Sequence, residues 1–537
     1  MSPKNKNKNK IMPIKNYNIA IIARDNTIYA WQQNVLTRLL ELENITVTLL
    51  LSRQAPAEKP PLALRFIHHI ERFLYNCQPD FFIEQPIDNL LDNVKKQRLS
   101  ETEKADLGDI DFALNLSEQS VPDKFLKQPK LGIWSIFIGD NEKVNSQLTA
   151  INDFISENDV VTIGLQLETL QHEANITLHK AQASIDMASL CRTAEQCLHK
   201  SAQFIPHYLE QMQHGKGVTL LEFAQTKALK NSISLTESAS LIWQSVKRVG
   251  KKMDHKYLAK EQWALIYTDN SSSSSSKSEH NANLNFASFK TLPPPQDRFW
   301  ADPFVISRDG KNYIFFEELL FARGLGHLCC MELYADGTHS EPVKILEKPY
   351  HLSYPFVFQY KNDDYMIPES GEQQCLQLYK CTEFPHQWTF EKNLLENTQA
   401  YDSTVFEYDG VWWLFACIAA DNKSSSSEDL HLFYADSPIS NHWQAHPMNP
   451  IVSDAATARP AGKLFEYNDT IYRPSQNCAR SYGAGLNLCE ITQLTKTTYS
   501  EKVVSHIFPD WDKCLKGMHT FNFNENITVS DVIIDQR

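Results

Sequence analysis

The sequence predicts a multidomain chain, with an α/β domain over residues 16–250 and an all-β five-bladed propeller over residues 251–537. A recurring phrase predicts the propeller. Ala301-Asp302-Pro303-Phe304-Val305, Ser353-Tyr354-Pro355-Phe356-Val357, Asp402-Ser403-Thr404-Val405-Phe406, Arg459-Pro460-Ala461-Gly462 and His519-Thr520-Phe521 return at a spacing of about 50–60 residues, the period of a blade. Alternation of strand-like and helix-like segments predicts the α/β domain.

In the first domain, residues 18–24 and 45–51 are short apolar runs. Between them, Trp31, Val35, Leu39 and Leu42 recur at helical spacing, which makes a βαβ unit with a parallel sheet. Residues 111–116 and 131–136 read as later strands, and 160–167 with 176–183 as a trailing hairpin. Residues 187–212 carry a long helical pattern that Pro206 should bend or end. The basic stretch 1–15 lacks an apolar segment and reads as a disordered tail, with Met12 as an alternative start.

In the second domain each phrase leads to a turn such as Asp309-Gly310 or Asp409-Gly410, then to an aromatic strand and a second strand pair. That makes four strands per repeat. The fifth repeat runs out near Ile534. Residues 263–268 and 284–289 are therefore expected to supply its outer strands and close the ring. The serine-rich stretch 271–278 is a loop inside that strand pair, and Ser424–Ser427 is a hairpin loop of the third repeat.

The net charge of −13 disfavours nucleic acid as a partner. No apolar run is long enough for a transmembrane helix. The eleven cysteines lack metal spacing and read as reduced thiols. No metal site is expected. The expected location is cytoplasmic, or peripheral to the inner face of a membrane.

A propeller gathers equivalent positions around one channel. Aligning the phrases brings Asp302, Tyr354, Asp402, Arg459 and His519 together, with Glu317, Glu369, Cys417 and Gln476 in the next strand. Such a set suits sugar hydroxyls, and paired carboxylates suit acid/base work. Asp302, Asp402 and Glu369 are the candidate catalytic residues. Glu317, Tyr354, Arg459, Arg473, Gln476 and His519 are the candidate substrate-binding residues.

Trp300-Ala301-Asp302-Pro303-Phe304 resembles the first-blade motif of the arabinofuranosidase and β-xylosidase clan of five-bladed propellers, in which that aspartate is the general base. Tyr354 departs from it, standing where the clan generally has a second aspartate. A longer resemblance spans residues 260–530. Phe299 to Val305, His351 to Val357, Ile367 to Ser370, Ala458 to Gly462, Arg473 to Gln476, Tyr482-Gly483 and Met518 to Thr520 are similar to the N-terminal domain of glucosamine inositolphosphorylceramide transferases. It implies a glycan-directed propeller without the transferase's separate catalytic domain.

Gly132 to Asn141, preceded by Asp111 to Leu116, resembles the Rossmann-type formyltransferase fold. That chemistry needs an Asn, a His and an Asp. Asn115 falls one strand early, no histidine lies near Ser135 to Phe137, and Gln171-His172-Glu173 replaces the expected Asp-Gly-Gly stretch. 10-Formyltetrahydrofolate is the implied cofactor only if this domain is active.

The expected function is surface polysaccharide or glycolipid biosynthesis or modification, acting as a transferase or glycosidase-like enzyme. The expected partner is a sugar, sugar-nucleotide or lipid-linked glycan. A sugar N-formyltransferase with the propeller as acceptor platform, and a non-catalytic carbohydrate-binding protein, are the alternatives.

Overall fold

The computed structural model describes residues 16–536 apart from 25–26, 53–61, 76–83, 87–94, 100–108, 119–120, 127–128, 140–147, 169–174, 187, 214–221, 225–233, 258–260, 271–284 and 422–423. His172 and the serine-rich stretch 271–278 lie outside the described residues. The chain divides into two compact units, Met1–Ala181 with Ser189–Ser245, and Gln182–Ala188 with Val246–Arg537.

The first unit is built on an eight-stranded mixed sheet. Lys95–Leu99, Ile45–Ser52, Tyr17–Arg24, Phe112–Asn115 and Ile133–Ile138 run parallel. Val160–Glu168 then pairs antiparallel with Ile133–Ile138. The helix Ala30–Glu41 buries Trp31, Val35, Leu36 and Leu39 along one face, as the sequence periodicity requires. Leu190–Gln213 runs on through Pro206, so of the two outcomes the sequence allowed, a bend or an end, the helix does not end there. Buried Glu71 accepts the first-turn N–H groups of Leu190 and Cys191, placing a negative charge at the positive end of that helix. No described helix is long and apolar enough to cross a membrane.

The second unit is a five-bladed propeller. The first two blades are Arg298–Arg308, Lys311–Leu320, Gly326–Leu333 and Val343–Leu346, then Ser353–Tyr360, Asp363–Glu369, Cys375–Glu383 and Gln387–Glu396. The third is Gln399–Tyr408, Val411–Ala419, Asp429–Ala435 and Gln444–Ala445, and the fourth is Phe465–Tyr467, Thr470–Asn477, Gly485–Leu494 and Tyr499–Ile507. The fifth closes the ring by pairing Ile527–Asp535 antiparallel with Glu261–Asp269, from the start of the unit. Its outer strand is Lys290–Leu292 rather than the expected 284–289, where Phe286–Ser288 forms a 3-10 turn. Strand alternation sends Cys329 and Cys330 into different apolar clusters, one facing the fifth blade and one the second.

Close approach between blades four and five rests on Gly462. Its φ is +139°, and a Cβ there would lie 2.0 Å from the Phe521 carbonyl oxygen. Gly310 has a φ of +75°, but a Cβ there would meet nothing within 4 Å. Gly310→Ala should therefore cost about 1–2 kcal/mol of left-handed strain. Gly462→Ala should add about 1–3 kcal/mol of overpacking, read as a larger loss of propeller stability in urea unfolding. Equal effects of the two substitutions would contradict this packing.

Candidate functional site

In the first three blades the recurring phrase forms a β-bulge. Strand register jumps between Ala301 and Phe304, between Ser353 and Phe356, and between Tyr401 and Thr404. At each jump a non-glycine residue adopts left-handed backbone: Asp302 (φ +52°), Tyr354 (+44°) and Asp402 (+47°). A bulge re-aims one side chain. Three such residues at the same blade position carry strain of order 1–3 kcal/mol each.

Carboxylates of the preceding blade hold the bulges. The N–H groups of Asp302, Tyr354 and Asp402 donate to Asp531 (2.9 Å), Asp302 (3.1 Å) and Glu369 (3.3 Å). Asp302 also accepts from the Thr520 hydroxyl at 2.8 Å, so both of its oxygens are engaged. Tyr354 is fully buried edge-on against Phe304, and its hydroxyl meets Thr404 at 3.1 Å. These two predicted residues are buried in the channel wall.

Two charged groups result. In one, His519 Nδ1 lies 2.7 Å from Asp531, and the ring stacks on Trp263 with centroids 4.0 Å apart. Burial pulls the His519 pKa down, but Asp531 and Asp302 raise it more, leaving it at about 9. Gly483, at φ +63°, approaches both rings so closely that a Cβ there would lie 3.0 Å from Trp263 and 3.2 Å from His519. In the other, Arg459 bridges Asp402 (Nε, 2.6 Å) and Glu369 (Nη2, 2.9 Å). Gln476 Nε2 donates to Asp402 and to the Pro460 carbonyl. The remaining Arg459 nitrogen donates to the Ser426 carbonyl and hydroxyl, each at 3.1 Å, in the second serine run. Burial pushes the Asp402 pKa up; Arg459 opposes this, and Glu369, hydrogen-bonded to the Asp402 carboxyl, adds to it, leaving a pKa of about 8. Glu317 lies in the same electrostatic neighbourhood. Burial raises its pKa first, then the charges of Asp302, Glu369 and Asp402. Its Oε1 is 3.2 Å from His351 Nε2.

The structure thus brings together Asp302, Glu317, Tyr354, Glu369, Asp402, Arg459, Gln476 and His519. Arg473 is a correction. It sits three residues from Gln476 on one strand, so it points to the other face. There it is fully buried and pairs with both oxygens of Glu501, at 2.6 and 2.9 Å. Residues the sequence reading did not single out complete the site. Asp531 anchors one group, and Trp263, His351, Tyr401 and Tyr482 form its rim. Tyr482 is 48% exposed, and Arg459 lies 5.0 and 5.5 Å from the Tyr482 and Tyr401 ring centres.

Asp302, His519 and Asp531 are close enough to be tested as a metal triad. The donor set does not fit one. Asp531 already accepts three backbone N–H groups and the imidazole, two bonds on each oxygen, which leaves its carboxylate no lone pair for a metal.

Two measurements follow from this geometry. Glu501→Gln leaves Arg473 as a buried unpaired cation and should destabilise the propeller by about 3–5 kcal/mol in urea unfolding; a loss below about 1 kcal/mol would show the pair to be dispensable. His519 and Asp402 both bind protons more tightly folded than unfolded. The stability they contribute is complete below their unfolded pKa values and is lost as pH rises through about 9 and about 8. Lys463, whose burial lowers its pKa to about 8, acts in the opposite sense above that pH. The melting temperature should therefore fall between about pH 6.5 and 8, and less steeply in His519→Gln. A flat profile in the parent chain would contradict these shifts.

Residues 265–529 match the family model described as "Glucosamine inositolphosphorylceramide transferase 1, N-terminal". The chain is 38% identical over 210 residues to glucosamine inositolphosphorylceramide transferase 1 of Oryza sativa subsp. japonica, covering 38% of this chain and 28% of that protein. It is 33% identical over 224 residues to the Arabidopsis thaliana protein of the same name, covering 41% and 29%. The match therefore spans less than a third of these relatives' length. Among solved structures, the catalytic domain of a Coprinopsis cinerea family 62 α-L-arabinofuranosidase aligns at TM-score 0.34 and 10% identity, covering 44% of this chain and 90% of that one. A Bacillus subtilis arabinanase aligns at 0.33 and 14%, covering 43% and 93%. The C-terminal region carries the N-terminal domain of the glucosamine inositolphosphorylceramide transferase 1 family.

Proposed function

We propose that the propeller recognises a saccharide at the mouth of its channel, in the service of glycan or glycolipid biosynthesis. The observation that carries this reading is the Asp402–Arg459–Glu369 group lying beneath the exposed Tyr482 ring. Fixed polar groups under an aromatic rim suit a ring with hydroxyls at its edge and C–H groups on its face. The channel has no excess of positive charge. Each cation, Arg459 and His519, is matched by carboxylates, and Glu317 adds another acid. A neutral sugar or an amino sugar therefore suits it better than a phosphate. The relatives' name refers to glucosamine, which is such a sugar.

Glycoside hydrolysis is less well supported. Glu369 and Asp402 share a hydrogen bond, and burial raises the Asp402 pKa. Retaining and inverting glycosidases hold their carboxyl groups roughly 5–5.5 and 6.5–9.5 Å apart. Two carboxyls in contact share a proton instead. Asp302, the counterpart of the clan's base, is buried and accepts a hydrogen bond on each oxygen. Formyl transfer in the first unit has no more support: Asn115 is buried, donating to Glu168 at 3.0 Å and accepting from Ser117.

Glucosamine and methyl β-glucopyranoside should give saturation-transfer NMR signals with the full chain. Glu369→Gln should weaken the channel's share of that binding about tenfold, equivalent to roughly 1.4 kcal/mol. Release of p-nitrophenol from aryl arabinosides and xylosides, abolished by Asp302→Asn, would overturn the recognition reading in favour of a hydrolase.

A further inference from the structure

A second cavity lies on the flank of the propeller, where blade four meets the segment that enters blade five. It measures about 450 Å³, within the range of roughly 300–1,000 Å³ typical of small-molecule sites. Its lining includes none of the channel residues. The floor is aromatic: Phe286 is buried and stacks on Trp511 with centroids 5.6 Å apart and planes 16° from parallel. Phe508, 46% exposed, stands at the rim. It packs on Gly485, where a Cβ would come within 2.7 Å of its ring.

The polar lining has a definite sense. Asn487 is buried and donates its amide N–H to the Ala456 carbonyl at 2.6 Å. Its oxygen must therefore be the acceptor in the 2.7 Å contact with His506 Nδ1. In the neutral ring that places the proton on Nδ1 and makes Nε2 the acceptor. Asp510 adds a carboxylate to the same lining.

We propose that this cavity is a second saccharide site, independent of the channel. Acceptors beside aromatic faces call for a ligand with hydroxyl donors on its edge and an apolar face, which a pyranose supplies. An aliphatic chain offers these acceptors no donor. A phosphate brings no donors and would face Asp510.

The test is saturation-transfer NMR with methyl β-glucopyranoside on the full chain. Tyr482→Ala disables the channel rim, and saccharide signals should survive it. In that background Phe508→Ala and His506→Ala should each reduce the remaining signal at least about fivefold. Both side chains are exposed, and Trp511 is left in place to hold the floor. Loss of all signal on Tyr482→Ala would overturn the second site while leaving the channel reading intact. Persistent signal that neither Phe508→Ala nor His506→Ala reduces would also overturn it. Signals unchanged by Tyr482→Ala but lost on His506→Ala would overturn the channel reading and leave the cavity as the saccharide site.

Discussion

The propeller depends on a backbone N–H of one blade donating to a carboxylate of the blade before it. Asp531 holds the bulge of blade one, Asp302 holds that of blade two, and Glu369 that of blade three. Hydrogen bonds to charged groups contribute about 1.5–3 kcal/mol each, enough to offset the strain of a left-handed residue of similar size. The same three acids therefore fix blade-to-blade register and generate the polar channel. Asp402 continues the ring by receiving Arg459 and Gln476 from blade four, and the Thr520 hydroxyl of blade five returns to Asp302.

This double use explains why the channel is rich in acids yet mostly shielded. A carboxylate bound to a neighbouring backbone cannot also turn to a ligand without opening the ring. Asp302 is held in this way on both oxygens, by the Tyr354 N–H and the Thr520 hydroxyl. Glu369 keeps partial access: its bonds to Arg459 and to the Asp402 N–H both fall on one oxygen, Oε2. The recognition proposed for the channel falls to the rim, where Tyr482, Tyr401 and Trp263 stand beside charges that are already fixed.

Much of this was legible in the sequence because a propeller converts repetition into proximity. Aligning five phrases located the channel residues and the ring closure. The bulge itself was not legible: strand alternation counts residues, and a two-for-one register jump leaves no mark in a count. Asp531 escaped because the last repeat is split between the two ends of the unit, although a carboxylate among Val529, Val532 and Ile533 was the available signal. Trp263 lies 256 positions before His519, so only the closed fifth sheet brings the two together. Tyr482 and Ser426 sit in loops, where no periodicity assigns a direction. The misplacement of Arg473 was avoidable, since an odd offset from Gln476 on one strand puts the two on opposite faces.

Tyr354 is where the balance between structure and chemistry is clearest. Its position needs a residue that tolerates left-handed backbone and donates its N–H to Asp302. An aspartate there would add a buried charge beside Asp302 and Asp402, whose pKa values are already raised by burial. A tyrosine fills the same place with a neutral ring against Phe304 and a hydroxyl that finds Thr404. It keeps the bulge and the ring while removing a charge. The substitution suits a channel whose acids serve to hold blades and position Arg459. It does not suit one that must keep a water molecule between two working carboxylates.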